Sequence, residues 1–119
     1  MSITIVNPDN FSARPSAVLF DLDNTLYPYE PAHDAGMLAV RTKAVNKIGF
    51  EGKEFDKAFS EARSETKNQL GDLASSHSRL LYFQRTLEIL GLRSQILLSL
   101  EFEQAYWGSF LATAELRDG

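Results

Sequence analysis

Two carboxylates stand two positions apart, Asp21 and Asp23, inside the stretch Ala17–Tyr27, which reads AVLFDLDNTLY. They follow directly on an apolar run of Ala17, Val18, Leu19 and Phe20. A carboxylate held at the end of a rigid element can attack phosphorus and form an acyl phosphate. A second carboxylate, two residues on, can protonate the leaving oxygen and then activate water. Mg²⁺ favours carboxylate and carbonyl oxygens, and it offsets the repulsion between an anionic nucleophile and a phosphate. The hydroxyl of Thr25 can hydrogen-bond within the turn that follows. The pattern Asp-x-Asp-x-Thr also reads as a strand end running into a turn or a helix N-cap with no catalysis, and by itself it does not choose between the two.

The elements around the acids decide what they can do. The apolar run has the length and composition of a strand buried on both faces, expected over Ala17–Leu22. In open α/β sheets ligands bind just outside the carboxyl ends of the strands, so acids placed there make a candidate reaction centre. Ile3–Val6 reads as a short strand or an ordered tail, and Asn7–Ser16, rich in Pro, Asn, Asp and Ser, as a loop. Asp23–Pro31 reads as turn and loop, interrupted by Pro28 and Pro31, with Tyr27 and Tyr29 adding aromatic surface.

From about Pro31 the period becomes helical. A first helix is expected from Pro31 to Lys47 or Ile48, with Met37, Val40, Ala44 and Ile48 on one face and Gly49 as its stop. A second, Glu54–Leu70, carries Phe55, Ala58, Phe59, Ala62 and Thr66, with a charged opposite face. A third, capped by Ser75 or Ser76, carries Leu80, Phe83, Leu87 and Leu90. A fourth, Ser94–Ala114, carries Leu98, Phe102, Ala105 and Tyr106, and Trp107, Phe110 and Leu111 widen its apolar stripe toward contact on more than one side. Helices this short need tertiary packing, and four of them joined by short loops suggest a bundle. No strand pattern appears after residue 30, so the expected strand has no visible sheet partner other than Ile3–Val6.

Composition narrows the class. At 119 residues the chain suits one domain with a small core, and 44% apolar and 24% charged residues are ordinary globular values. A formal net charge of −4 gives no reason to propose nucleic acid as a partner. The absence of cysteine excludes disulfides and thiolate metal sites. The first residues lack the basic segment and apolar core of a signal peptide, and no apolar run approaches a membrane span, so a cytoplasmic protein with no membrane partner is expected.

AVLFDLDNTLY resembles the first motif of the haloacid dehalogenase-like (HAD) superfamily, most of whose members are Mg²⁺-dependent phosphatases. The resemblance implies an α/β fold with a Rossmann-like core, of which this mostly α chain would hold one core strand followed by a four-helix cap bundle. It implies two parts: residues 1–30 as a piece of the core, and residues 31–116 as a helical cap. It also implies that Asp21 is the nucleophile that becomes an aspartyl phosphate, that Asp23 is the general acid/base, and that Mg²⁺ is held by the Asp21 carboxylate and the Asp23 main-chain carbonyl. Thr25 would hold the turn beside a small phosphorylated substrate, a metabolite or nucleotide. An acid at Asp23 separates the phosphatases from the dehalogenases, whose halide leaving group needs no proton. The family's later elements, a Ser or Thr at a second strand end, a Lys on the phosphate and further acids for the metal, have no counterpart in this chain. Lys43, Lys47, Lys53, Lys57 and Lys67 all lie in the helical part and do not supply that Lys. The chain is therefore expected to lack the rest of the core, to bind Mg²⁺ weakly and to turn over little alone. Its unpaired apolar strand is expected to self-associate. A non-catalytic helical interaction module retaining a vestigial motif is the alternative.

The remaining candidates each carry two readings. Tyr27 and Tyr29 either line a substrate entrance or pack loop against helices. Arg79 and Tyr82 either face the acids and help choose substrates, or belong to a solvated face and the core. His33 and His77 read more simply as exposed or helix-terminal residues than as ligands.

Overall fold

The computed structural model describes residues 7, 9 and 13–118. Its elements are α1 (Tyr29–Ile48), α2 (Gly52–Leu70), a 3₁₀ turn (Ala74–His77), α3 (Arg79–Ile89) and α4 (Ile96–Thr113). Helix α1 packs along α4, α2 along α3, and α3 against α4, which closes a four-helix bundle.

The bundle forms because four apolar stripes meet. The expected face of α2 is buried residue for residue: Phe55, Ala58, Phe59, Ala62 and Thr66. On α1 the buried set is Ala32, Gly36, Val40 and Ala44, with Met37 and Ile48 packed at its margin. Helix α3 buries Tyr82, Phe83, Thr86 and Leu87, and α4 buries Ser99, Phe102, Tyr106 and Phe110. Where the stripes converge the core is aromatic: Phe83 stands edge-on to Phe102 at 6.0 Å, and Phe102 edge-on to Phe55 at 5.9 Å. Such pairs contribute about 0.5–1.5 kcal/mol each beyond their buried area. The hydroxyls of Thr66, Thr86 and Ser99 return to the carbonyls four residues earlier, so these buried groups are paired. At the C-terminus of α1, Gly49 takes the left-handed conformation (φ 86°) and its N–H closes on the Val45 carbonyl.

The structure corrects the sequence reading in several places. Among the described residues the chain is all-helical: no sheet is present, and the expected α/β core strand Ala17–Leu22 adopts no regular element. Strand backbone needs a partner for its N–H and C=O groups, and no described segment runs beside it. Val18, Leu19 and Phe20 are accordingly 63%, 97% and 75% exposed. The extended pairing that survives is an isolated bridge between Asp23 and Tyr27. The expected strand Ile3–Val6 lies outside the described residues. Ser78, and not Ser75 or Ser76, caps α3, because Ser75 and Ser76 are taken up by the 3₁₀ turn. Of the three residues that widen the α4 stripe, Phe110 enters the core, whereas Trp107 and Leu111 stay 41% and 70% exposed on its outer side, in keeping with a stripe that faces more than one way.

After α4 the chain turns back on its own start. The main-chain N–H of Arg117 donates to the Leu26 carbonyl at 2.8 Å, laying the last described residues beside the loop that carries the acids. Both ends of the bundle therefore leave it at one place. No helix among the described residues is long and apolar enough to cross a membrane.

Candidate functional site

The acids sit on a tight turn that the sequence dictates locally. The Leu22 carbonyl accepts from the N–H of Thr25 at 3.2 Å and of Leu26 at 2.9 Å. That closure requires Asn24 in the left-handed region, φ 61°, where Asn is tolerated better than most residues. Asn24 has a second task. Helix α1 begins after Pro28, whose side chain offers no cap, and Asn24 Oδ1 accepts from the Tyr29 N–H at 3.0 Å in its stead. One residue thus shapes the turn and ties it to the bundle. Its composition signal was legible, since Asn is a capping and turn residue, but the partner five residues on was not.

Within the turn each acid is oriented by a hydroxyl four residues later. Thr25 Oγ1 donates to Asp21 Oδ2 at 2.8 Å, which leaves Asp21 Oδ1 free of that bond. The Tyr27 hydroxyl donates to Asp23 Oδ1. That hydrogen bond, followed by the partial burial of the ring, pushes the Tyr27 pKa up to about 12, so the phenol keeps its proton at neutral pH. The Tyr27 ring stands edge-on to Phe110 at 5.9 Å, so this residue packs the loop against α4. Asp21 and Asp23 themselves are exposed. The Asp21 carboxylate and the Asp23 carbonyl are hard oxygen donors of the kind Mg²⁺ prefers. Two donors are part of a shell: among the described residues no group of three or more His, Cys, Asp or Glu is placed to hold a metal.

A second constellation lies one tyrosine away. Arg79, at the start of α3, donates from Nη2 to the Tyr29 hydroxyl at 2.6 Å, and its guanidinium lies over the rings of Tyr82 and Tyr106, 5.5 and 5.2 Å from their centroids. His33, one turn along α1 from Tyr29, stacks on the Tyr29 ring at 5.3 Å. Its Nδ1 lies 2.7 Å from the Tyr106 hydroxyl and 3.4 Å from that of Tyr29. Burial, and then the nearby positive charge of Arg79, hold the His33 pKa below its usual 6.5. Burial also raises the Tyr106 pKa to about 12, so this phenol keeps its proton. Neutral His33 and Tyr106 share a hydrogen bond through Nδ1, and the tautomer of the ring sets which of the two donates.

The structure thus brings Asp21 together with Thr25, and Asp23 with Tyr27, and gathers Arg79 with Tyr29, His33, Tyr82 and Tyr106 on the bundle side of the same loop. His33, read from the sequence as an exposed or helix-terminal residue, stands near the start of α1 and is half-buried in this network; His77 is exposed, in the 3₁₀ turn. A signal for His33 existed in its spacing, four residues after Tyr29 on one helical face, but its partners Arg79 and Tyr106 are distant in sequence. A groove of about 400 Å³ lies beside the loop, lined by Pro28, Pro31 and residues of the returning tail, and none of Asp21, Asp23 or Arg79 lines it.

Two expected results follow from these local arrangements. Asn24→Ala loses both the left-handed tolerance and the helix cap, each worth about 1 kcal/mol, whereas Asn24→Gly loses the cap alone. Amide exchange at Tyr29 and the next residues of α1 should accelerate in both and most in the alanine variant. Unchanged exchange would dismiss the capping role. The second result concerns pH. His33 has a lowered pKa in the folded chain, so from 6.5 downward the unfolded chain binds a proton that the folded chain does not. Stability contributed by neutral His33 is full above 6.5 and is lost as pH falls through the folded value. Thermal melts should show a steeper acid slope for the natural chain than for His33→Gln; equal slopes would contradict the assignment.

The chain is similar to a curated protein named ribulose-1,5-bisphosphate 5-phosphatase from Halopiger xanaduensis, with 40% identity over 103 residues. The match covers 85% of this chain and 43% of that protein, so the chain spans less than half the length of its curated relative. No family model matches the chain, and no solved structure matches it.

Proposed function

We propose that this chain is part of a phosphatase of the HAD type, acting on a small phosphorylated metabolite, with a sugar bisphosphate as the favoured substrate class. The observation that carries the reading is the 40% identity to a phosphatase over most of this chain, a match long enough to include the helical bundle. The geometry of the acidic turn supports it: two carboxylates on an exposed loop, each oriented by its own hydroxyl.

In this reading Asp21 attacks the phosphorus of the ester. The new bond joins an Asp21 carboxylate oxygen to phosphorus, and the bond from phosphorus to the sugar oxygen breaks. Asp23, in its protonated form, gives its proton to that leaving oxygen. It then takes a proton from water, which attacks the aspartyl phosphate, freeing inorganic phosphate and restoring Asp21. Thr25 holds one oxygen of the nucleophile, so the other is presented to the ester. Tyr27 fixes the rotamer of Asp23. The Asp21 carboxylate and the Asp23 carbonyl would hold Mg²⁺, which supplies charge neutralisation between the nucleophile and the phosphate when bound.

The reading is tested by trapping the intermediate. Acid quenching after mixing with a phosphate ester and Mg²⁺ should leave phosphate covalently attached to Asp21, in a bond cleaved by hydroxylamine. Phosphate release with no label on Asp21 would reject the mechanism.

A further inference from the structure

The network around Arg79 has more hydrogen-bond donors than acceptors. Arg79 is half-buried, yet among the described residues no carboxylate lies within ion-pair distance of it. Its neighbours are phenol hydroxyls and aromatic faces, which steady a cation without neutralising it. Its Nε–H is buried and meets no acceptor. The Tyr29 hydroxyl accepts from Arg79, and its own hydrogen faces only the long 3.4 Å contact to His33, whose Nδ1 is already taken by Tyr106. A buried unmet donor on a charged group is costly, and a half-buried cation without a counter-charge costs more. One multivalent oxyanion would satisfy these groups together. A guanidinium presents several N–H groups in a planar fork that suits phosphate oxygens.

We propose that Arg79, with the Tyr29 hydroxyl and the His33 imidazole, forms an oxyanion subsite in the helical bundle that takes a phosphate group. Within the phosphatase reading, on which this part rests, it holds the phosphate of a sugar bisphosphate that is not cleaved, while Asp21 attacks the other. Tyr29 joins the two places: its main-chain N–H is bonded to Asn24 in the acidic turn and its hydroxyl to Arg79. Substrates with one phosphate would leave the fork unfilled. The subsite is thus a device for choosing bisphosphates, placed outside the reacting acids.

Titrating inorganic phosphate into the ¹⁵N-labelled chain tests the subsite without any need for turnover. The Arg79 Nε–H and His33 ring resonances should shift saturably, in the natural chain and equally in Asp21→Asn. Arg79→Gln should weaken phosphate binding by roughly 10- to 100-fold, as expected for lost charge-assisted hydrogen bonds. Arg79→Lys keeps the charge and the aliphatic stem, which guards against a folding defect, and should still lose several-fold because the fork is gone. In turnover, Arg79→Gln should reduce kcat/KM for a sugar bisphosphate by a similar factor and leave a monophosphate within about threefold. Absence of a saturable shift at Arg79 and His33, or an unchanged preference for bisphosphate in Arg79→Gln, would overturn the subsite. Saturable shifts, with neither ester hydrolysed by a form of the protein that includes the rest of the core, would uphold the subsite and overturn the phosphatase reading instead.

Discussion

Phosphate release should fall to background when Asp21 is replaced by Asn, and by roughly 10²–10⁴-fold when Asp23 is. The two losses have different physical origins. An amide at position 21 has no anionic oxygen to bond to phosphorus, so the covalent route closes altogether. An amide at position 23 leaves the nucleophile intact but removes the proton donor. The leaving alkoxide must then depart as an anion, and water must attack without a base. An ester whose leaving group is a stable anion separates the two roles. It needs no proton to depart, so the Asp23→Asn protein should still form the aspartyl phosphate, release one equivalent of leaving group in a burst, and then stall. The comparison belongs in a form of the protein that turns over substrate, with Mg²⁺ present. Full activity in Asp21→Asn would rule out the assigned nucleophile. A burst followed by an undiminished steady rate in Asp23→Asn would rule out the assigned acid/base.

The second large effect is structural, and its sign is opposite to helix propensity. Gly36 lies in α1, and Gly→Ala inside a helix ordinarily stabilises by up to about 1 kcal/mol. Here a Cβ would fall 2.7 and 2.8 Å from two ring carbons of Tyr106 and 3.0 Å from its carbonyl oxygen. Tyr106 is fully buried, so neither its ring nor its backbone can withdraw without moving α4. Overpacking of this kind typically costs about 1–3 kcal/mol, and a net loss of roughly 1–2 kcal/mol remains after the propensity gain. Melting should fall by roughly 5–10 °C. Gly108, in α4, is the matched control. A Cβ there meets nothing within 4 Å, so Gly108→Ala should raise stability by about 0.5–1 kcal/mol. Equal and positive effects at both positions would mean that α1 and α4 do not approach closely at Gly36. Gly36 also lets Tyr106 reach His33, so Gly36→Ala should weaken phosphate binding at the Arg79 subsite as well as stability.

These two results rest on different kinds of information. The acids were legible as a candidate site because two carboxylates two residues apart are set by residue type and spacing. So were the four helices, since a period of 3.6 survives in any helix that buries one face. The buried set of α2 was read without error because its other face is polar from Lys53 to Gln69, most of it charged, and one rotation of the helix is much the best. Helix α4 is apolar nearly all round, so its sequence did not say that Trp107 and Leu111 face outward while Ser99 faces inward. Periodicity fixes a stripe when polar residues flank it and fails when they do not.

The strand was the clearest error, and its cause is physical. An apolar run of strand composition states a preference, but a strand exists only when another backbone bonds to it. Among the described residues none does, and the run Val18–Phe20 stands in solvent. Sequence alone therefore determined the candidate carboxylates, the helical period and the turn chemistry around Asn24, because each depends on neighbours within about five residues. Tertiary structure decided which distant groups meet. It placed Arg79 against Tyr29, brought Tyr106 from α4 to His33 on α1 through the gap left by Gly36, and returned the tail to Leu26. Those contacts join residues as many as 73 and 50 positions apart. No local pattern encodes them, because they depend on how four helices choose their faces together.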